Sequence, residues 1–320
     1  MHASPTTSMG GHQSELGRAG RNGVAVKKRI WLSVLLALLP FGGILAANSL
    51  SPVGTARWFL RGSELWQQEW PFARGKYIPI YLNNLLFEMG MLRPVQAGVR
   101  GFTMELDLRD LVTQSILSSG IWEPESTRVI EALPEGGVFI DVGAHVGYYT
   151  LDASKRVGKS GKVVAVEPNP PTADRLRRNV SLNNASNVSV QQVACTDTEM
   201  KLHFFQAGFE NTGSSSLSKN NARSNQEIEV RGARLDAIVK ELDLRRIDLV
   251  KIDVEGAELQ VLRGMTESLA KYRPKVIIEL VEGNLKNLGA SVKEVREFFR
   301  QNGYVQESQI DADNYLWAPI

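Results

Sequence analysis

The sequence predicts a doubly wound, Rossmann-like α/β fold: a mostly parallel sheet with helices on both faces and an antiparallel edge. Three observations point there. Short β-branched runs recur at VFIDV (138–142), KVVAVE (162–167), VSVQQVA (188–194), IDLVKID (247–253) and KVIIEL (275–280); runs apolar on both faces mark a buried parallel sheet. Helical patterns separate most of them. The chain closes on GYVQ (303–306) and NYLWAPI (314–320) around an acidic polar turn, which reads as a terminal hairpin.

Residues 1–29 read as a disordered basic tail, poor in periodic apolar positions, with Arg18, Arg21, Lys27, Lys28 and Arg29 against the single acid Glu15. The next 18 residues, IWLSVLLALLPFGGILAA (30–47), carry no charge and predict an apolar helix at the short limit of a bilayer span. Pro40 and Gly42-Gly43 interrupt it. A membrane-inserted or membrane-associated segment, a signal peptide and a helix packed on a domain or partner all stay open. The basic flank favours a cytoplasmic N-terminal end. Residues 48–98 read as a linker or helical extension in which Trp58, Phe59, Trp66, Trp70 and Phe72 interleave with Arg57, Arg61 and Arg74, a mixture suited to a membrane interface or a docked amphipathic segment.

The principal domain is expected over 99–320. VRGFTMELDL (99–108) alternates with period two and predicts a strand; PESTRVIEAL (124–133) predicts a helix begun by Pro124. Pro170-Pro171 open a helix carrying Leu176 and Val180, and Leu259, Leu262, Met265 and Leu269 mark another. Ser291 and Glu294 form a capping box before Val295, Phe298 and Phe299, with Gly303 past the helix end. KLHFF (201–205) and QEIEV (226–230) predict two strands around a Gly/Ser/Asn-rich loop that would overhang the site.

Composition excludes several classes. With 43% hydrophobic and 22% charged residues the chain is globular, and 37 basic against 35 acidic residues argue against a nucleic-acid surface. A lone cysteine, Cys195, cannot form an intrachain disulfide.

In a doubly wound sheet the ligand binds beyond the strands' carboxyl ends. The first such turn is DVGAHVGYYT (141–150), where Gly143 and Gly147 allow a tight bend before a helix N-terminus able to hold an anion. A dinucleotide fingerprint would need glycine at 145 and 148, where His145 and Tyr148 stand. The wider turn suits a smaller anion, such as the carboxylate of S-adenosylmethionine. Glu167, ending the second strand, could accept both hydroxyls of a ribose. Asp141 would orient the turn and the amino group of the ligand. His145 reads either as a base or as a packing residue at the helix start.

GIWEPEST (120–127), VFIDVGAHVGYYT (138–150), GKVVAVEPNP (161–170), NVSVQQVACTD (187–197) and IDLVKIDVEGAELQVLRG (247–264) together resemble the FkbM family of S-adenosylmethionine-dependent methyltransferases. The resemblance implies a seven-stranded sheet with the last strand antiparallel, and methyl transfer to a hydroxyl of a sugar, polyketide or other small molecule. It further implies that Asp141, Gly143, Ala144 and Gly147 hold the methionine end, Glu167 the ribose, and Cys195 and Asp197 the adenine, with His145 also among the cofactor-binding residues and Glu123 or Glu125 closing over the cofactor.

A neutral alcohol is a poor nucleophile, so a base is expected. Asp253 and Glu255, after the fourth strand, are the candidates, with Glu258 a turn on and Glu279 a weaker choice; they could act as base, bind acceptor hydroxyls or share a divalent metal, though no His–carboxylate cluster signals one. Glu255 also reads as a helix-start acid, and Lys251 could neutralise one of these carboxylates. A nicotinamide-dependent oxidoreductase and a non-catalytic membrane-associated protein of the same fold are the competing functions. Cofactor supply places the catalytic domain in the cytoplasm, with 30–47 on the inner face of a membrane.

Overall fold

The structure, a computed structural model, describes residue 54 and residues 84–89 and 93–320. Contacts divide the chain into two units, Met1–Pro79 and Ile80–Ile320. The expected apolar helix at 30–47 lies outside the described residues; among those residues no helix is long and apolar enough to cross a membrane.

The second unit is built on a seven-stranded mixed sheet. Its strands are β3 (Val138–Val142), β4 (Lys162–Val166), β5 (Val188–Gln191), β9 (Leu249–Ile252), β10 (Lys275–Glu279), β11 (Tyr304–Gln309) and β12 (Asn314–Pro319), in spatial order β11-β12-β10-β9-β3-β4-β5. The five strands β10 to β5 run parallel, and β12 is antiparallel to both β10 and β11. That is the expected doubly wound sheet closed by a hairpin. All five residues of β3 are buried, as a central strand covered on both faces requires.

Two smaller sheets flank it. β1 (Val95–Val99) and β2 (Phe102–Leu106) pair antiparallel through a two-residue turn. The single strand expected over 99–108 therefore breaks at Arg100 and Gly101, both at positive φ (+48° and +85°). A two-residue hairpin favours such a pair, and Arg-Gly is not the Asn-Gly signal that advertises it. β6 (Ala194–Cys195), β7 (Lys201–Phe205) and β8 (Glu227–Ala233) form the other sheet, so the expected 188–194 run serves two sheets.

Helices α1 (Leu111–Ser119), α2 (Pro124–Glu131), α3 (Tyr148–Val157) and α4 (Pro170–Leu182) precede the β7–β8 connection; that connection holds a 3-10 turn, Phe209–Ser214, and α5 (Lys219–Ala222). Beyond it come α6 (Leu235–Glu241), α7 (Glu258–Gly264), α8 (Thr266–Tyr272), α9 (Glu282–Lys286) and α10 (Val292–Gln301). The single helix expected across 259–269 is broken at Met265 (φ −122°). A Cβ on Gly264 would lie 2.1 Å from the Thr196 carbonyl oxygen, so α7 packs too closely on that loop to admit a side chain. The Ser291–Glu294 cap forms as expected, Glu294 N–H donating to Ser291 Oγ at 3.3 Å.

Candidate active site

The carboxyl ends of β3, β4, β9 and β10 open into one cavity of about 310 Å³. After β3 the chain turns through Gly143, and the N–H groups of Gly143 and Ala144 both donate to the Val166 carbonyl (2.9 and 3.0 Å). Gly143 sits at φ +87°, and a Cβ there would lie 1.8 Å from the Asp253 carbonyl oxygen. Only glycine fits, because the ends of β3 and β9 meet at that point. Gly147, at φ +93°, begins α3. Glu167, just past β4, takes the His145 N–H on Oε2 (3.0 Å) and the Asn169 N–H on Oε1 (2.9 Å). Burial outweighs those bonds and pushes its carboxyl up to about 7.

On the other side of β3 the cavity is acidic. Lys251, buried within β9, donates to Asp253 Oδ2 at 2.8 Å and lies 4.9 Å from the centre of the Tyr149 ring. Burial alone would lower its pKa, yet the carboxylates of Asp253, Glu123 and Asp141 outweigh that and raise it, so the ammonium stays charged. Glu255 stands at φ +52°. Its strained turn is held by Ser216 Oγ and Asn221 Nδ2 on its carbonyl (2.8 and 2.7 Å) and by Asn284 Nδ2 on its carboxylate (2.7 Å). Backbone strain held in place this way collects at functional sites. Burial, then Asp253 and Glu258, push Glu255 up to about 8. Glu279 is raised as well, mainly by Asp253. One carboxylate oxygen from each of Asp253, Glu255 and Glu279 lies within 4.8 Å of the others, a set that could also hold a divalent cation. No local spacing announces that convergence, since Glu279 arrives from the neighbouring strand.

The fold brings most of the sequence-named residues to this cavity: Gly143, Ala144, His145, Glu167, Cys195, Asp253 and Glu255 line it. Asp141 lies buried just behind the wall, one oxygen bonded to Thr150 Oγ and the other, Oδ1, without a hydrogen-bond partner among the described residues. Burial pushes the Cys195 thiol up to about 12 and so keeps it protonated. Three expected residues are outside the lining: Gly147, at the start of α3, Glu125 and Asp197. Glu125 pairs with Arg128 one helical turn on; Glu123 lines the cavity instead, accepting from Tyr149 OH at 2.6 Å. The reason is that Pro124 starts α2, which turns position 125 outward while 123 precedes the helix. Asp197 lies on the loop that α7 packs against. Trp122, Thr212 and, behind Thr212, Asp110 were not named from the sequence. Asp110 carries a helix-start signal, but nothing local ties it to a residue 102 positions away.

The methyltransferase FkbM domain profile matches residues 141–305, slightly more than half of the chain. The chain belongs to the FkbM methyltransferase family. This FkbM protein is an S-adenosylmethionine-dependent enzyme, as the family assignment entails. It is 29% identical to methyltransferase sdnD of Sordaria araneosa over 219 residues (59% of this chain, 80% of that one). It is likewise 29% identical to the hexuronic acid methyltransferase AglP of Haloferax volcanii (48% and 60% covered) and to the 2-O-methyltransferase NoeI of Sinorhizobium fredii (49% and 71%). The FkbM site fits the donor chemically: a buried, unpaired Asp141 oxygen is suited to an ammonium, and Glu167 retains lone pairs for ribose hydroxyls.

Proposed function

We propose that this chain methylates a hydroxyl of a sugar, polyketide or similar polyhydroxylated small molecule, with Glu255 as base and Asp253 as its charge-balanced neighbour. The observation that carries the reading is the convergence of Asp253, Glu255 and Glu279 in the same cavity as the Gly143 turn and Glu167. Carboxylates accept from hydroxyl edges, while Trp122, Leu111 and Val112 offer an apolar wall to a ring face. The names of AglP and NoeI, a hexuronic acid methyltransferase and a 2-O-methyltransferase, support an oxygen acceptor on a sugar.

In this reading Asp141, Gly143, Ala144, His145, Gly147, Glu167 and Cys195 hold S-adenosylmethionine, which when bound supplies an electrophilic methyl group. Asp253 is tied to Lys251, so it orients an acceptor hydroxyl rather than takes its proton. Glu255, raised to about 8 and fixed by Asn284, removes that proton. A base whose pKa lies near the working pH combines availability with driving force. Because the base must be ionised, turnover should rise with pH through about 8.

Full-length protein should bind S-adenosylhomocysteine in calorimetry, and screening sugars and polyols with labelled donor should identify an acceptor. With that acceptor, Glu255→Gln should lower kcat roughly 10²–10⁴-fold and abolish the rise near pH 8 while leaving S-adenosylhomocysteine affinity within a few fold. Turnover left intact in both Glu255→Gln and Asp253→Asn would remove the base assignment. No affinity for the donor product would remove the functional reading.

A further inference from the structure

The segment joining β7 to β8 reaches over the cavity; Leu217 packs against the Ala194, Phe204 and Val230 cluster, while residues 211–216 read NTGSSS and carry no large apolar side chain. Hydrogen bonds of that polar stretch run to both sides of the site. The Thr212 N–H donates to Asp110 Oδ2 at 2.9 Å, and the Thr212 hydroxyl makes a short bond to the same oxygen. Asp110 is 1% exposed, and its other oxygen caps α1 by accepting from Thr113 N–H at 3.0 Å. Thr212 Oγ also lies 2.7 Å from His145 Nε2, on the donor-side turn. Four residues on, Ser216 Oγ holds the carbonyl of Glu255, on the acceptor-side turn. One short stretch thus ties together the two halves of the cavity.

Counting hydrogens fixes the roles within this contact. A threonine hydroxyl has one hydrogen to give, and an ionised carboxylate is the stronger acceptor. The hydroxyl hydrogen therefore goes to Asp110, and the bond to His145 must draw its hydrogen from the imidazole Nε2. Burial lowers the His145 pKa and favours the neutral ring, so a hydrogen on Nε2 leaves Nδ1 with a bare lone pair. Nδ1 makes no hydrogen bond among the described residues, and His145 lines the cavity. The backbone N–H of the same residue donates to Glu167.

We propose that Thr212 is a positioning residue of the donor site: its hydroxyl gives its hydrogen to Asp110 and takes one from His145, which fastens the 206–217 segment over the cavity and leaves His145 Nδ1 to accept a hydrogen bond from the bound nucleoside. The inference rests on the donor binding in this cavity, as the functional reading holds. A residue that sets both a cover and a tautomer acts on ligand retention more than on the chemical step. Valine has the shape of threonine without the hydroxyl, and serine keeps the hydroxyl without the methyl.

Calorimetry with S-adenosylhomocysteine on full-length wild type, Thr212→Val and Thr212→Ser tests this, with thermal melting of each as a folding control. Thr212→Val should weaken binding at least ten-fold and raise KM for S-adenosylmethionine in step, with kcat within three-fold. Thr212→Ser should stay within three-fold of wild type in both. Should the valine variant not fold, Thr212→Ala removes the same hydroxyl with less crowding and should show the same loss. Affinity within two-fold of wild type in a folded variant lacking the hydroxyl, or a serine variant as weak as the valine one, would overturn the assignment of Thr212 alone. A wild type that takes up no S-adenosylhomocysteine would overturn the functional reading and this inference with it.

Discussion

At the scale of single residues the site is governed by two kinds of constraint, close backbone approach and buried charge. Gly143→Ala would drive a methyl group into the Asp253 carbonyl and force a residue with a Cβ to hold φ +87°. The ends of β3 and β9 would have to part, so the variant should lose S-adenosylhomocysteine binding in calorimetry and melt at lower temperature. Lys251 is a matter of charge. It is buried among Asp253, Glu123 and Asp141, and its removal strands those carboxylates without a counter-ion. Lys251→Met should therefore destabilise the fold by about 3–5 kcal/mol, measured by urea denaturation at neutral pH. A loss below about 1 kcal/mol would mean that the carboxylates simply take up protons. Gly143, Glu167 and Asp253 were readable from the sequence because each follows a recognisable strand. Glu123 and Glu125 were distinguishable only once the direction of α2 was known.

Among the secondary-structure elements, the β1–β2 hairpin has its own attachment to the sheet layers through α4. Asn179 Oδ1 accepts from the Glu105 N–H at 2.7 Å and its Nδ2 donates to the Val146 carbonyl at 2.9 Å. Asn183 repeats the pattern at both backbone groups of Thr103. Asn179 is fully buried and one of its partners belongs to the turn between Gly143 and Gly147. Asn179→Ala leaves a buried N–H and a buried carbonyl without partners, a cost of roughly 2–4 kcal/mol. The urea midpoint should fall accordingly; an unchanged midpoint would show water filling both places. Helix and strand identity was legible wherever apolar periodicity was strong, as in β3 or α10. Irregular joints were not: the Arg100-Gly101 turn, the break at Met265 and the division of the 188–194 run between sheets are each decided by packing partners remote in sequence.

For the molecule as a whole, the concentration of acid at one end of the sheet sets a pH dependence. Burial raises Glu167 and Glu258 to about 7 and Glu255 to about 8, from an unfolded value of about 4.5. Between the unfolded and folded values the native state binds more protons than the unfolded chain, so stability falls as pH rises. The contribution is complete below about pH 4.5 and is lost as pH passes through 7 to 8. The melting temperature of the ligand-free protein should therefore decline between pH 5.5 and 8.5, measured at constant ionic strength, and Glu255→Gln should flatten that decline. A melting temperature that rises across that interval would show the carboxyls to be better solvated than their burial indicates. With Glu255 as the proposed base, activity and stability would respond to pH in opposite senses, since that role needs Glu255 ionised and the fold is firmer with it neutral.

Apolar periodicity and turn residues within a few positions of one another were enough to specify the doubly wound sheet, its hairpin edge and the strand-end position of the Gly143 turn. Tertiary structure alone decided which carboxylates meet and which side chains cover them. Glu279 joins Asp253 and Glu255 because β10 lies beside β9, and Thr212 reaches Asp110 and His145 because an insertion between two strands of a separate sheet folds back over the cavity. Contacts between residues so far apart along the chain leave no periodic trace, since what selects them is the geometry of neighbouring elements rather than any local preference.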